Sequence, residues 1–203
     1  QVDDVKFVDG MLDQLQAQFD VDPRRIFATD MSNGAMLCYR LAAEMADRLA
    51  AIAPVAGPMA DQARAPSRPV PILHFHGTAD QYVPYNGGRG SLSRTGVNFS
   101  SVEQTIGRWV RLNGASAQPV ETQLPVKFVD GTRITRTQYG AGHGSAEVVL
   151  YTLHDGGHTW PGRDSSIQSL GKSTLNLSAN DLIWAFFQRH PLPEPQGERT
   201  SSN

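Results

Sequence analysis

Apolar residues recur every three or four positions in three stretches of the chain, which is the spacing of one face of an α-helix. The first stretch follows the capping candidates Asp3 and Asp4 and predicts an amphipathic helix over residues 4–19. The second opens at Ser100-x-x-Glu103, a capping-box pattern, and ends near residue 113. The third is capped by Ser178 and closed by Pro191. By their spacing, Trp109 of the second stretch and Trp184 of the third are expected to lie in the core.

Shorter apolar runs, several ending at glycine or proline, predict β-strands. They cover residues 25–29, 52–55, 71–76, 120–124, 134–139 and 148–153. A further helix, rich in Ala, Met and Leu, is predicted over residues 32–48. Strands that alternate with helices favour an α/β fold around a mainly parallel sheet. We expect one domain over residues 1–190 and a disordered polar tail over residues 191–203.

Composition limits the classes of function. The chain has 203 residues, 39% of them hydrophobic, and a formal net charge of −2, so it lacks the basic surface that nucleic acid or an anionic membrane requires. No apolar run approaches the roughly 20 residues that span a bilayer. The single cysteine, Cys38, has no partner within the chain and is expected to be a buried, inert thiol; a disulfide to residues outside this chain is the less favoured alternative.

The strand at residues 25–29 leads into Ser32-Asn33-Gly34 and then directly into a helix. This is the outline of a nucleophile elbow, in which a serine hydroxyl is held on a sharp turn, open to a base and to the N-terminus of the next helix. Such turns commonly read Gly-x-Ser-x-Gly, and here Asp30 takes the first position. The same three residues are also an ordinary turn or helix-cap signal.

Two further strands are followed by candidate catalytic residues. Asp80 follows the strand at residues 71–76, and His158 follows the strand at residues 148–153. The order Ser, Asp, His along the chain is that of α/β-hydrolase triads, and reactive groups in such sheets gather at the carboxyl ends of the strands. His158 would act as the base for Ser32, Asp80 would orient His158, and the backbone N–H of Asn33 would be one oxyanion-hole donor.

Each of these residues also has a structural interpretation. His158 could be a loop residue bonded to backbone, and Asp80 could close an Asx-turn. Asp155 and Asp61 are alternative acids. Trp160, close to His158, is a candidate stacking platform for substrate, although an aromatic side chain in such a loop also serves packing.

A metal site is a less favoured interpretation of other histidines. His74 and His76 share one side of a strand and could bind a metal with His154, but no cysteine or glutamate cluster accompanies them. No metal ligand set is predicted.

Four strings of the sequence resemble one enzyme group. They are Val-Asp-Asp-Val-Lys-Phe (2–7), Asp-Met-Ser-Asn-Gly-Ala-Met (30–36), His-Gly-Thr-Ala-Asp-Gln-Tyr-Val-Pro-Tyr-Asn-Gly-Gly (76–88) and Gly-Gly-His-Thr-Trp-Pro-Gly (156–162). In these four strings the chain resembles the secreted feruloyl and acetylxylan esterases that are related to polyhydroxybutyrate depolymerases. The resemblance implies an α/β-hydrolase fold, no cofactor, ester hydrolysis through an acyl-enzyme, secretion, and Ser32, Asp80 and His158 as the triad.

The chain departs from that group in two ways. Asp30 stands where relatives have glycine, and a carboxylate there would be costly if buried without hydrogen bonds. Relatives also have earlier strands and a His-Gly-Gly-type loop that supplies the second oxyanion donor. We therefore expect this chain to be the C-terminal portion of the full domain: a fragment, one piece of a cleaved enzyme, or a truncated homologue.

The missing part leads to a structural expectation and leaves three functions open. The apolar strand at residues 25–29 should have a neighbour on each side, one being the strand at residues 72–76 and the other supplied by residues before Gln1 or by a separate chain.

The leading function is a serine carboxylesterase acting on feruloyl or acetyl esters of plant polysaccharide. The alternatives are a polyhydroxyalkanoate depolymerase and a catalytically inactive carbohydrate-binding homologue.

Overall fold

A six-stranded sheet forms the centre of the protein. The structure, a computed structural model, describes residues 3–60, 64–140 and 146–194. The strands are β1 (Phe27–Met31), β2 (Ala51–Val55), β3 (Ile72–Gly77), β4 (Val120–Gln123), β5 (Arg133–Tyr139) and β6 (Val148–His154). Their order across the sheet is β1-β2-β3-β6-β5-β4. The first four in this order are parallel, and β5 and β4 continue the sheet in antiparallel pairing. The predicted mainly parallel α/β sheet is therefore confirmed.

Four α-helices accompany the sheet in the described residues. They are α1 (Asp4–Gln18), α2 (Asn33–Glu44), α3 (Val102–Leu112) and α4 (Ala179–Arg189). Side-chain caps explain where three of them begin, because each satisfies a backbone N–H that the first helical turn leaves unpaired. Asp3 caps α1 and Ser178 caps α4, as predicted. The capping box of α3 lies one residue later than predicted, at Ser101 and Gln104.

Two apolar clusters hold the helices on the sheet, one on each face. On one face the cluster joins residues of α2 and α3, including Tyr39 and Trp109, to Ile52 and Ile72 of the sheet. On the other face Phe186 and other residues of α4 pack against the sheet. Burying apolar area at about 25 cal/mol per Å² is the main force that holds such layers together. Strand β3, between the layers, is buried along its whole length.

Strand β1 lies at the edge of the sheet. Its only strand partner among the described residues is β2, so the prediction that the strand at residues 72–76 lies beside it is wrong. β2 separates the two, because the short connection from α2 returns the chain next to β1 and β3 then pairs with β2. The expected second neighbour, supplied by residues before Gln1 or by another chain, stays a prediction.

Two tryptophans at helical spacing differ in burial. Trp109 is fully buried, as predicted, whereas Trp184 is 62% exposed, so its assignment to the core was wrong. The reason is its position on α4, where Ile183, Phe186 and Phe187 form the inward face and residue 184 points away from it.

The end of the described chain is held by Arg24. The backbone N–H of Leu192 donates to Arg24 O at 2.8 Å, Arg24 Nε donates to Leu192 O at 2.9 Å, and Arg24 pairs with Glu194. The first four residues of the predicted disordered tail, 191–194, are thus docked on the domain. Residues 195–203 lie outside the described residues, and the domain boundary at residue 190 stays a prediction.

Cys38 is buried. The residue is 3% exposed, and burial, aided by the charge of Asp30, raises the pKa of its thiol to about 12. The predicted burial is confirmed, and the inertness of the thiol stays a prediction. No helix among residues 3–60, 64–140 and 146–194 is long and apolar enough to cross a bilayer.

Candidate active site

Ser32 lies on a strained turn between β1 and α2. Its φ of 59° and ψ of −121° put a residue with a Cβ into a region that such residues rarely occupy. The turn is held from β2, because the Ser32 N–H donates to Val55 O at 2.9 Å. A Cβ on Gly57 would lie within 3.0 Å of the Ser32 carbonyl oxygen and of Ala35, so only glycine lets the loop after β2 support the turn. Sequence reasoning missed this role of Gly57.

Asp30 packs over Gly34 on the solvent side of the same turn. It is exposed, and its Oδ1 accepts from the Met31 N–H at 2.7 Å, so the carboxylate has both water and a hydrogen bond. A Cβ on Gly34 would meet side-chain atoms of Asp30 within 3.0 Å. Gly34, the second glycine of the usual Gly-x-Ser-x-Gly motif, therefore leaves space for Asp30, which stands in place of the first glycine. The cost expected of a buried carboxylate at position 30 does not arise.

Asp80 and His158 form a buried hydrogen-bonded pair. Asp80 follows β3 and His158 follows β6, two adjacent parallel strands, and the Asp80 Oδ2 to His158 Nδ1 distance is 2.7 Å. The other carboxylate oxygen, Oδ1, accepts the backbone N–H groups of Tyr82 and Val83, each at 2.9 Å. Since a carboxylate oxygen accepts, His158 Nδ1 carries the hydrogen, and Nε2 is left as the proton acceptor.

The free side of His158 suits a base. Its Nε2 has no hydrogen-bond partner in the described part of the chain, and it is not among the side-chain atoms buried without a partner, so it reaches the surface. Ser32 lies at the same edge of the sheet, and its Oγ makes no hydrogen bond to the described residues. The structure thus joins two of the three predicted triad residues directly and leaves Ser32 at the same edge, unbonded to the pair.

Tyr82 connects the two parts of the site; sequence reasoning assigned it no role, although it lies in the string 76–88 that carries the resemblance. Its ring lies 5.3 Å from the His158 ring, between centroids, and its hydroxyl contacts Ser169. Tyr82 also lines an open cleft of about 600 Å³ together with Ser32, Asn33 and residues of the 91–99 segment. Ser32 and the ring that covers His158 therefore face one cleft.

Asn33 is the first residue of α2 and is exposed. Its backbone N–H is one of the first helical donors, which have no partner within a helix, and it makes no hydrogen bond in the described structure. The positive end of the helix dipole adds to its attraction for a negative oxygen. It can therefore serve as one donor to an oxyanion at Ser32.

None of the other candidates among the described residues makes a hydrogen bond to this pair, although His76 lies close to Asp80. Asp155 is exposed and its backbone N–H donates to Thr78, while Asp61 lies outside the described residues. His74 and His76 bond to each other at 3.1 Å, and His154 bonds to Thr135. No group of three metal-binding side chains occurs among residues 3–60, 64–140 and 146–194.

Trp160 is half-buried, and its place in substrate binding stays a prediction. Its Nε1 donates to Asn180 Oδ1 at 2.9 Å, and its ring packs at the margin of the cluster beneath α4. This anchoring fixes the ring two residues from His158.

The chain is similar to known esterases. It is 33% identical over 168 residues to NocK of Nocardia uniformis subsp. tsuyamanensis, which is described as an esterase, and 30% identical over 162 residues to feruloyl esterase B of Piromyces equi. These alignments cover 78% and 77% of this chain but only 49% and 29% of the relatives, so the chain spans about half or less of their length. No protein-family model matches the chain.

A solved structure has the same fold. The acetyl xylan esterase from Aspergillus awamori superimposes with a TM-score of 0.56 at 15% identity, over 91% of this chain and 66% of that one. This superposition shows the α/β-hydrolase fold, and the sequence matches show relatives that include an esterase and a feruloyl esterase.

Proposed function

We propose that the chain carries the catalytic residues of a serine carboxylesterase that hydrolyses feruloyl or acetyl esters of plant polysaccharide. The observation that carries the proposal is the buried Asp80–His158 pair, at 2.7 Å, beside a strained turn that presents Ser32. Strained backbone of this kind clusters at active sites, where the surrounding structure holds it in place. The names of the homologues support the substrate class.

The reaction follows from the roles of the three side chains. His158 Nε2 takes the proton of Ser32 as its Oγ attacks the ester carbonyl, and Asp80 stabilises the imidazolium that results. The Asn33 N–H donates to the oxyanion of the tetrahedral intermediate. His158 then returns the proton to the leaving alcohol, and water releases the acid from the acyl-enzyme by the same steps.

Part of this machinery is proposed to come from residues outside this chain. One donor of an oxyanion hole contributes about 3 kcal/mol of barrier reduction, and a second is usual. We propose that residues before Gln1, or a separate polypeptide, bring that donor and pair with the free edge of β1. Exposed apolar side chains on and just after α1 fit a cover that the described residues do not provide: Phe7, Met11, Leu15 and Phe19.

Labelling with a fluorophosphonate tests the nucleophile. We expect one adduct, on Ser32, that is absent in Ser32→Ala and retained in Ser101→Ala, a control serine that caps α3. Mass spectrometry of a peptic digest locates the adduct. Labelling of another residue in the wild-type chain would overturn the assignment of Ser32.

Matched substrates test the class of ester. Release of ferulate from methyl ferulate, or of acetate from acetylated xylan, supports the proposal, whereas release of hydroxybutyrate alone indicates a polyhydroxyalkanoate depolymerase. Binding of xylan without turnover of any ester, by the chain extended to its natural N-terminus, indicates the inactive homologue. The extended chain is needed because it supplies any second oxyanion donor.

Secretion is part of the same proposal. It is supported by the resemblance to secreted esterases. Detection of the protein in the culture medium of its native host tests it, and confinement to the cell pellet would contradict it.

A further inference from the structure

A line of buried polar side chains lies behind the Asp80–His158 pair. Tyr39 Oη lies 2.9 Å from His74 Nδ1, His74 Nε2 lies 3.1 Å from His76 Nδ1, and His76 Nε2 lies 2.8 Å from Val83 O. Tyr39, His74 and His76 are each at most 1% exposed. Buried polar atoms in water-free surroundings are costly unless bonded, so every bond of this line matters.

The chemistry of the last member fixes the direction of every bond. Val83 O is a carbonyl and can only accept, so His76 Nε2 carries a hydrogen. Burial lowers the pKa of His74 and of His76, which keeps both rings neutral with one hydrogen each. His76 Nδ1 must then accept from His74 Nε2, and His74 Nδ1 must accept from the Tyr39 hydroxyl. The line therefore runs one way, from Tyr39 to Val83.

Val83 links this line to Asp80. Its carbonyl accepts from His76, and its N–H donates to Asp80 Oδ1 at 2.9 Å. His76 Nε2 also lies 3.6 Å from Asp80 Oδ2, the oxygen that holds His158. A rotation of the Val83 backbone would thus change the orientation of the carboxylate, and His76 is the side chain that opposes this rotation.

We propose that His76 is a positioning residue: oriented by Tyr39 through His74, it holds the 80–83 turn so that Asp80 faces His158 Nδ1. The expected effect on kcat rests on the proposed function, whereas the expected effect on the His158 tautomer does not. The positioning role explains why three polar side chains occupy an otherwise apolar cluster between α2 and β3. Apolar residues of equal volume would fill the space but leave the Val83 carbonyl without its hydrogen bond, so the polar line fits a role in holding the 80–83 turn.

The tautomer of His158 tests the structural part without substrate. We expect ¹⁵N NMR at alkaline pH to show His158 with hydrogen on Nδ1 in the wild-type chain. In His76→Phe, which keeps a ring but neither nitrogen, we expect a mixture of the two tautomers. In His76→Gln, whose amide can still donate to Val83 O, we expect the wild-type tautomer to be largely retained.

Kinetics on the extended chain test the functional part. Since a misplacement of about 1 Å can cost roughly 100-fold in rate, we expect His76→Phe to lower kcat by about 10- to 100-fold with KM changed less than about threefold. His76→Gln should recover most of that loss. A purely structural role would instead reduce the fraction of folded enzyme and leave the kcat of the folded fraction unchanged.

Two tyrosines provide a matched pair in case His76→Phe does not fold. Tyr39 and Tyr85 both lie near these histidines, with the Tyr85 ring edge-on to His76, but the Tyr85 hydroxyl bonds Thr152 and is not in the line. We expect Tyr39→Phe to disturb the His158 tautomer and lower kcat several-fold, and Tyr85→Phe to do neither. Equal effects of the two, or none from Tyr39→Phe, would overturn the proposal. A disturbed tautomer in Tyr39→Phe, combined with no esterase activity in the wild-type extended chain, would support positioning and reject the proposed function.

Discussion

The two halves of the candidate site are built differently. Asp80 and His158 are buried just past the ends of two neighbouring central strands, and four hydrogen bonds from Tyr82, Val83, His158 and the line behind them fix their geometry. Ser32 and Asn33 stand at the end of the edge strand β1, are partly or fully exposed, and make no side-chain hydrogen bond. The first half is pre-organised by this chain alone, whereas the second depends on backbone strain and on a surface left open.

This difference indicates which kind of substitution should damage each half of the site most. An electrostatic pair in a water-poor site works because its partners do not reorganise during the reaction, so the loss of one group removes most of its effect. A nucleophile on a strained turn depends on close backbone packing, so added volume nearby should damage it most. The following predictions test that contrast.

The largest effect is expected from Asp80→Asn. The amide keeps the shape but can donate to His158 Nδ1, which favours the wrong tautomer, and a change of this kind lowers kcat by about 10⁴-fold. KM should change little, because Asp80 acts on the imidazolium formed in the transition state. Steady-state kinetics on the extended chain measure this, with Asp155→Asn as the control. Unchanged turnover in Asp80→Asn would assign the acid role to another carboxylate.

Replacing Gly57 and Gly34 by alanine should destabilise the protein to different extents. Gly57→Ala places its Cβ against the Ser32 backbone, which cannot move without losing the turn, so we expect a loss of about 3 kcal/mol in the free energy of unfolding and of most labelling at Ser32. Gly34→Ala meets only the exposed Asp30 side chain among its nearest atoms, so we expect a smaller loss of about 1–2 kcal/mol.

A double variant checks the second of these effects. Asp30→Gly combined with Gly34→Ala should recover most of the stability that Gly34→Ala loses, because the clashing carboxylate is gone. Urea unfolding of the four chains gives the coupling between the two positions. No recovery in the double variant would mean that the methyl group meets something other than Asp30.

Acid should destabilise the half that contains the histidine line. The folded-state pKa values of His74 and His76 lie below the unfolded value of about 6.5, so below that pH the unfolded chain binds protons that the folded chain does not. The free energy of unfolding therefore falls as pH decreases through this window, by up to about 1.4 kcal/mol per pH unit for each residue.

The pH window, not the sign, distinguishes these histidines from a carboxylate whose pKa is also lowered. The pKa of Glu147 is lowered by its hydrogen bond with His190, so its contribution is lost only at pH values below its unfolded pKa of about 4.3. Urea unfolding between about pH 7.5 and 5.5 thus reports mainly on histidine. His74→Leu should show a shallower decrease over this range, and an equal slope would contradict the assignment to His74.

The smallest effect is expected at Trp160. If its ring stacks on the acyl group, Trp160→Leu should raise KM for methyl ferulate about fivefold, the equivalent of about 1 kcal/mol, and leave KM for an acetyl ester unchanged. Asn180→Ala, which removes only the anchor of the indole N–H, is the control for ring orientation. Equal changes for both substrates would point to a packing role.

The positions of the elements were predictable because their signals are local. Periodic apolar residues, capping side chains and Gly or Pro at the ends of runs gave the helices and strands to within a few residues, and Asp3 and Ser178 cap the helices they were expected to cap. The Ser, Asp, His order along parallel strands likewise predicted a pair that the structure joins, Asp80 and His158. Each of these inferences needs only a residue and its near neighbours in sequence.

What the sequence left open depends on contacts between distant segments. That β2 separates β1 from β3, that Trp184 faces outward, and that Gly57 supports the Ser32 turn each follow from how the layers pack. The same is true of the Tyr39–His74–His76 line, whose members come from α2 and β3 and whose bond directions are set by a carbonyl at residue 83. The sequence by itself determined the elements and the reactive residue types, because those depend on backbone propensity and periodicity; the tertiary structure alone decided which side chains meet, because hydrogen bonds and close packing require atoms far apart in the chain to come within a few ångströms.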